Sequence, residues 1–216
     1  MLQFSAGDMI TMAKQIPDIV IGRLPVYLRA LQQMLAEGRQ VTSSQELGER
    51  LGISAAQIRK DLSQFGEFGK QGTGYNIEYL ANQLREILKV NKTWEVVIVG
   101  AGDIGRALAG YSGFSERGFN IRGIFDNSPK RIGEQHGEFV IKDTATLKAE
   151  AQAEGIKMAM IAVPASAAQE VADLLVDAGI RAILSYAPVN LNVPAGVRVQ
   201  NIDPSIHLQR MTYYLD

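Results

Sequence analysis

A chain of 216 residues, 46% hydrophobic and 21% charged, has the make-up of an ordinary soluble globular protein with room for one large core or two small ones. It contains no cysteine and only two histidines, His136 and His207, which excludes disulfides, thiolate metal sites and thiol redox chemistry and argues against a histidine-rich metal centre. The net charge of −1 gives no global sign of nucleic-acid binding, so such an activity would need a local basic surface. No apolar run reaches membrane-spanning length and no signal-peptide layout opens the chain, so a cytoplasmic protein without membrane or metal partner is expected.

Residues 1 to about 16 show no period and read as a tail. From Arg23, Leu24, Leu28, Leu31 and Leu35 step by three and four, which predicts a helix ended by Gly38. Ser43 with Glu46 has the spacing of a capping box and opens a short helix through Leu47 and Leu51 that stops at Gly52. Ser54 with Gln57 repeats the device and opens a third helix containing Ile58 and Leu62. The last two read as a helix-turn-helix. With Ile58 and Leu62 inward, Gln57, Arg59, Lys60 and Gln64 fall on the outer side, able with Ser54 to contact base edges and phosphates. The aromatic and glycine alternation from Phe65 to Tyr75 predicts a hairpin with Lys70, Gln71 and Gly72 near its tip, which is a wing. Four basic residues (Arg50, Arg59, Lys60, Lys70) stand against two acidic ones (Asp61, Glu67) from Arg50 to Tyr75. That excess is small enough to suit a merely solvated helix face as well.

A fourth helix is predicted over Tyr79–Leu88, with Leu80, Leu84, Ile87 and Leu88 inward. Lys89 to Trp94 is a linker short enough to transmit movement between the two halves. Val96 to Val99 then form a continuous apolar run, as a strand buried on both faces of a parallel sheet does. It is followed by Gly100, Ala101, Gly102, Asp103, Ile104 and Gly105, a G-x-G-x-x-G arrangement leading into a helix through Leu108. Gly100 permits the tight turn, Gly102 the approach of a pyrophosphate, and Gly105 close packing of helix on strand. The first amides of that helix suit a diphosphate. A second apolar run, Ile121–Phe125, ends at Asp126, twenty-one residues after Gly105, where a dinucleotide fold carries the acid for the adenosine ribose hydroxyls. A carboxylate there repels a 2′-phosphate, so NAD(H) is favoured over NADP(H).

Pro129 and Gly133 mark loop. Strand and helix then alternate: a helix over Thr144–Glu154, a strand from Met158 to Val163 ending in Pro164, and a helix capped by Ser166 running through Val171, Leu174 and Leu175 to Gly179. Strands follow at Ile180–Leu184 and Val197–Ile202. This is the doubly wound α/β pattern, with ligands beyond the carboxyl ends of the strands. Val163, Pro164, Ala187, Pro188 and Asp203 are therefore expected near the nicotinamide half of the cofactor. The final segment, Pro204–Asp216, is a predicted helix carrying Ile206, Leu208, Met211, Tyr213, Tyr214 and Leu215. Those apolar groups need burial, on their own domain or in the cleft of a partner subunit.

Ile58-Arg59-Lys60-Asp61-Leu62-Ser63, running into Phe65-Gly66-x-Phe68-Gly69-x-x-Gly72-x-Gly74-Tyr75, resembles the signature of the redox-sensing transcriptional repressor family Rex. The resemblance extends to GAGDIG, Tyr111-Ser112-Gly113-Phe114, Ala187-Pro188 and Asn201-Ile202-Asp203. It implies a winged-helix DNA-binding domain (residues 1–90), a Rossmann NAD(H)-binding domain (91–203) and a C-terminal helix (204–216) exchanged within a homodimer. It implies a repressor released from double-stranded operator DNA by NADH, with Arg23, Tyr111 and Asp203 trading partners in the switch. Pro204 stands where some relatives carry an aromatic residue, so the packing around the nicotinamide ring edge is not implied by the resemblance.

Other readings stay open on the residues alone. An NAD-dependent dehydrogenase would need an acid or base beside the nicotinamide. Neither His136 nor His207 is well placed, and no Ser-x-x-x-Lys or Tyr-x-x-x-Lys pair stands near the site. A fold of this kind also takes coenzyme A or another nucleotide, although the 3′-phosphate of coenzyme A would meet the Asp126 carboxylate.

Overall fold

Val20, Leu24, Leu28 and Leu31 recur at helical spacing, and with Tyr27 and Met34 they form the buried side of helix α1 (Asp18–Ala36). The helix starts five residues before the expected Arg23. Its first turns expose Ile19 and Ile21, which blurs the apolar period there, while Pro25 inside the helix reads locally as a boundary. The computed structural model describes residues 16–69 and 73–215. The expected N-terminal tail lies outside the described residues except for its last position. The chain divides into two units between Asn91 and Lys92.

In the first unit α1 is followed by the two-residue strand β1 (Val41–Thr42), α2 (Ser44–Leu51), α3 (Ala55–Leu62), β2 (Tyr75–Asn76) and α4 (Ile77–Ile87). Both expected caps form: Ser43 Oγ accepts the Glu46 N–H at 3.1 Å and Ser54 Oγ accepts the Gln57 N–H at 3.2 Å. Gly52 closes α2 in the left-handed conformation. Leu24, Tyr27, Leu31, Leu47, Ile58, Ile77, Leu80 and Leu84 join in one buried core. The predicted hairpin is corrected in its pairing. β2 runs antiparallel to β1, Val41 opposite Asn76 and Thr42 opposite Tyr75, and Phe65–Gly69 forms no strand. A two-residue strand between helices is too short to show a period of two, so its role as partner was not legible. The helix-turn-helix itself forms as expected, beside this small sheet.

The second unit is built on one parallel sheet. Its strands are β3 (Trp94–Val99), β4 (Phe119–Asp126), β7 (Lys142–Asp143), β8 (Met158–Ile161), β9 (Ala182–Ser185) and β10 (Arg198–Asn201), in the order β10-β9-β8-β3-β4-β7. A small hairpin, β5 (Gln135–His136) with β6 (Phe139–Val140), occupies the stretch expected as plain loop. The helices are α5 (Asp103–Ala109), a 3-10 helix at Ser112–Arg117, α6 (Thr144–Ala153), α7 (Ala165–Asp177) and α8 (Pro204–Thr212). Alternate residues of β3 serve opposite faces: Val97 and Val99 pack under α6 and α7, Val96 and Ile98 on the other side. That is why the run is apolar throughout. Ser166 does not cap α7; Pro164 holds the N-cap position and no side chain caps the helix.

Candidate functional site

The chain runs from β3 outward to β4 and β7, then returns across the sheet to β8, so neighbouring strands β3 and β8 leave in opposite directions. Such a reversal opens a crevice at the carboxyl ends of the strands. A cavity of about 730 Å³ lies there, with Gly100, Gly102, Asp126, Val163, Pro164 and Pro188 on its wall, a size suited to a dinucleotide.

The glycine loop is shaped by two close approaches. Gly100 has φ of +106°, and a Cβ on it would strike the Ala162 carbonyl oxygen at the end of β8. A Cβ on Gly105 would strike the Gly100 carbonyl oxygen. Gly100 cannot carry a side chain while the chain leaving β8 stays beside it, nor Gly105 while α5 stays against the sheet. Around Gly102, by contrast, an added Cβ meets nothing within 4 Å, and the residue faces the cavity. Asp103 and Ile104 also line the cavity, whereas Ala101 is buried beneath it.

Asp126 ends β4 with its side chain nearly buried. Its carboxylate accepts the Ala101 N–H at 2.7 Å, the Ser128 N–H at 2.8 Å and Arg131 Nη1 at 3.2 Å. Burial alone would raise its pKa, but these bonds outweigh it and hold the carboxyl below its usual range. The acid expected for the ribose therefore first anchors the glycine loop to the neighbouring strand. Of about four acceptor positions on a carboxylate, these three donors leave roughly one for a ligand unless Arg131, about half exposed, swings aside. Val163, Pro164 and Pro188 line the cavity as expected, while Ala187 is buried and does not. Arg131 and Tyr186 on its wall were not singled out in the sequence. Nothing in the spacing around either marks it.

In the first unit, Arg59 and Lys60 are exposed on α3, and Arg59 Nη1 donates to Ser44 Oγ at 2.9 Å. Ser54 serves as the N-cap and is exposed. Gln64 is half-buried. Lys70, Gln71 and Gly72 lie outside the described residues. Gln57 departs from its expected outward place: its amide donates to Asp61 Oδ1 at 2.6 Å. Asp61 is the residue that the sequence reading passed over. It is 1% exposed and also receives Arg23 Nε at 2.5 Å, Arg23 Nη2 at 2.7 Å and the Tyr27 hydroxyl at 2.6 Å. Its position three residues after Ile58 on the same helix face was the available signal.

Burial raises the Asp61 pKa, yet Arg23, Tyr27 and Gln57 together bring it below the usual carboxylate value, while burial pushes the Tyr27 phenol up. The stability that Asp61 contributes is thus present above its unfolded pKa of about 3.9 and is lost as pH falls through the lower folded value. Asp61→Asn should be less stable to urea than the wild type by about 3 kcal/mol at pH 7. The gap should narrow as pH falls below the unfolded value of about 3.9 and through the lower folded one; a gap that stays constant into acid contradicts the assignment.

The three residues of the implied switch each have a partner in their own unit. Arg23 is on Asp61. Tyr111, exposed, packs edge-on against Phe114 with ring centroids 5.1 Å apart. Asp203 caps α8, accepting the Ser205 N–H at 2.9 Å and its hydroxyl at 2.6 Å. No group of metal-ligating side chains occurs among the described residues, and no helix among them is long and apolar enough to cross a membrane.

The profile of a family described as "Putative DNA-binding protein N-terminus" matches residues 15–63, and that of "CoA binding domain" matches residues 91–189. The chain is 54% identical over 201 residues to the redox-sensing transcriptional repressor Rex of Chloroflexus aggregans, covering 93% of this chain and 95% of that one. It is 47% identical over 203 residues to Rex 1 of Thermotoga maritima, covering 94% and 97%. Among solved structures it resembles a repressor called RSP in complex with NAD⁺ and operator DNA, with 40% identity, a TM-score of 0.87 and coverage of 93% and 92%. The complex of RSP with NADH matches at 38% identity, a TM-score of 0.85 and coverage of 93% and 94%.

Proposed function

The chain belongs to the Rex family of redox-sensing transcriptional repressors, regulators rather than enzymes, and from that premise we propose how its two units divide the work. Residues 1–90 bind the operator, 91–203 bind NAD(H), and 204–216 join two chains into a homodimer. NADH held in the cavity releases the operator, while NAD⁺ leaves the DNA-competent form populated. A repressor acts where its operator is, which supports the cytoplasm as its location.

The observation that carries this reading is the glycine loop. It is held by Asp126 and closed by Gly100 and Gly105 against β8 and β3, but open at Gly102. This arrangement fits a dinucleotide. The turn from Gly100 to Gly105 would receive the pyrophosphate, Asp126 the adenosine ribose, and Val163, Pro164 and Pro188 the nicotinamide half. When bound, the cofactor supplies a ring that is neutral when reduced and cationic when oxidised. A ligand shifts a two-state equilibrium only by its differential affinity for the two states, so the groups near that ring must respond to its charge. Arg23, Tyr111 and Asp203 are our candidates for the residues that relay the response, each leaving its present partner to do so.

The match of residues 91–189 to a coenzyme A binding domain favours a second ligand class. The 3′-phosphate of coenzyme A and the 2′-phosphate of NADP(H) would both bring negative charge toward Asp126. A gel shift on an operator duplex decides between them. NADH should dissociate the complex, and NAD⁺, NADPH and coenzyme A at equal concentration should leave it in place. Release by coenzyme A and not by NADH would overturn the reading.

A further inference from the structure

The side chains that α3 buries are Ile58, Asp61 and Leu62. Two of them are apolar, and apolar burial is not directional. It fixes which face of the helix turns inward, but only loosely fixes its rotation and its advance along its own axis. Asp61 is different. Four donors converge on its carboxylate, two from one guanidinium and one each from Tyr27 and Gln57, so its acceptor positions are filled. Arg23 and Tyr27 both stand on α1, four residues apart and on one face. The bidentate guanidinium and the phenol therefore grip α3 from α1 with defined geometry.

We propose that Asp61 is a positioning residue for DNA reading: it ties the recognition helix to α1 and, by holding the Gln57 amide, withdraws that side chain from base recognition. Gln57 then acts through Asp61, closing the network from within α3. Base and phosphate contacts fall to residues that remain outward on this helix, Lys60 and Arg59 above all. Arg59 is itself steadied against Ser44 of α2, so α3 is indexed to α2 by this contact at its outer edge and to α1 by Asp61 at its inner edge. Because α3 is only eight residues long, a small rotation moves every outward side chain relative to a groove at once.

This rests on the DNA-binding reading, and its test separates the two. Full-length protein selects a duplex from a randomised pool, and fluorescence anisotropy is recorded on that duplex, on each of its single-base-pair variants and on a shuffled duplex. Gln57→Leu should lower affinity about fivefold, evenly across all base-pair variants, because a misplaced helix weakens every base contact together while the sequence-independent phosphate contacts persist. A profile flattened at one base pair alone, or unchanged affinity, overturns the proposal. Asp61→Asn keeps the shape and removes the charge. It should lower operator affinity at least about tenfold while affinity for the shuffled duplex and its dependence on salt stay unchanged, since phosphate contacts survive. Unaltered operator affinity again overturns it. If Asp61→Asn unfolds the first unit, seen as loss of the shuffled duplex too, the Gln57→Leu profile decides alone. A wild type that selects no duplex would instead sink the DNA-binding reading itself.

Discussion

Gly102→Val is expected to give a repressor that stays on its operator at every NADH concentration. The backbone of Gly102 has φ of −73° and ψ of −171°, an extended conformation open to valine. The space around its would-be Cβ is empty of protein. The substitution therefore leaves the loop intact and puts two methyl groups where, on the proposed reading, the pyrophosphate approaches, so NADH affinity should fall by at least about 100-fold. Gly105→Ala is the counterpart. Its single added methyl runs into the Gly100 carbonyl oxygen, so α5 must leave the sheet, and melting temperature falls together with NADH binding. Titration of NADH by fluorescence, with thermal melts and gel shifts on the same samples, checks both. Undiminished NADH affinity in Gly102→Val, or equal loss of stability in both variants, would contradict the assignment.

Removing residues 204–216 should leave a monomer. No residue of α8 is buried in its own chain, and Ile206, Leu208, Met211, Tyr214 and Leu215 are each at least 61% exposed. The option that this helix packs on its own domain is therefore not realised. An exposed apolar surface of this kind marks an interface, and on the proposed reading a second copy of the chain covers it. A dimer places two recognition helices on one palindromic site. Losing the second subunit removes the effective concentration that couples the half-sites, a cost on the order of 10²–10⁴ in operator affinity. Sedimentation and anisotropy on the truncated chain measure both effects. A truncated chain that remains dimeric with full operator affinity excludes α8 as the dimer element.

Much of the site was legible because its chemistry is local. The turn at Gly100, the strand before it and the acid at Asp126 lie in consecutive supersecondary units, where spacing along the chain maps directly onto spacing in the fold. The helix-turn-helix was legible for the same reason, since caps at Ser43 and Ser54 and the stop at Gly52 act within one turn of helix. What escaped were protein partners that lie far away in sequence. Asp61 is 38 residues from Arg23 and Asp126 is 25 residues from Ala101. Asp61 entered only the charge tally and the family signature, and Asp126 was read as facing a ligand, when each carboxylate is already engaged by the protein. β1 and β2 escaped because two residues carry no period.

Apolar periodicity, caps and glycine spacing by themselves determined the order of the main helices and strands, the parallel sheet and the place of the glycine turn, because each depends on neighbours a few residues apart. Only the tertiary structure decided which polar groups were spent internally. A buried carboxylate must be matched by donors in three dimensions, and the chain brings those donors to Asp61 and Asp126 from elements that no local pattern pairs.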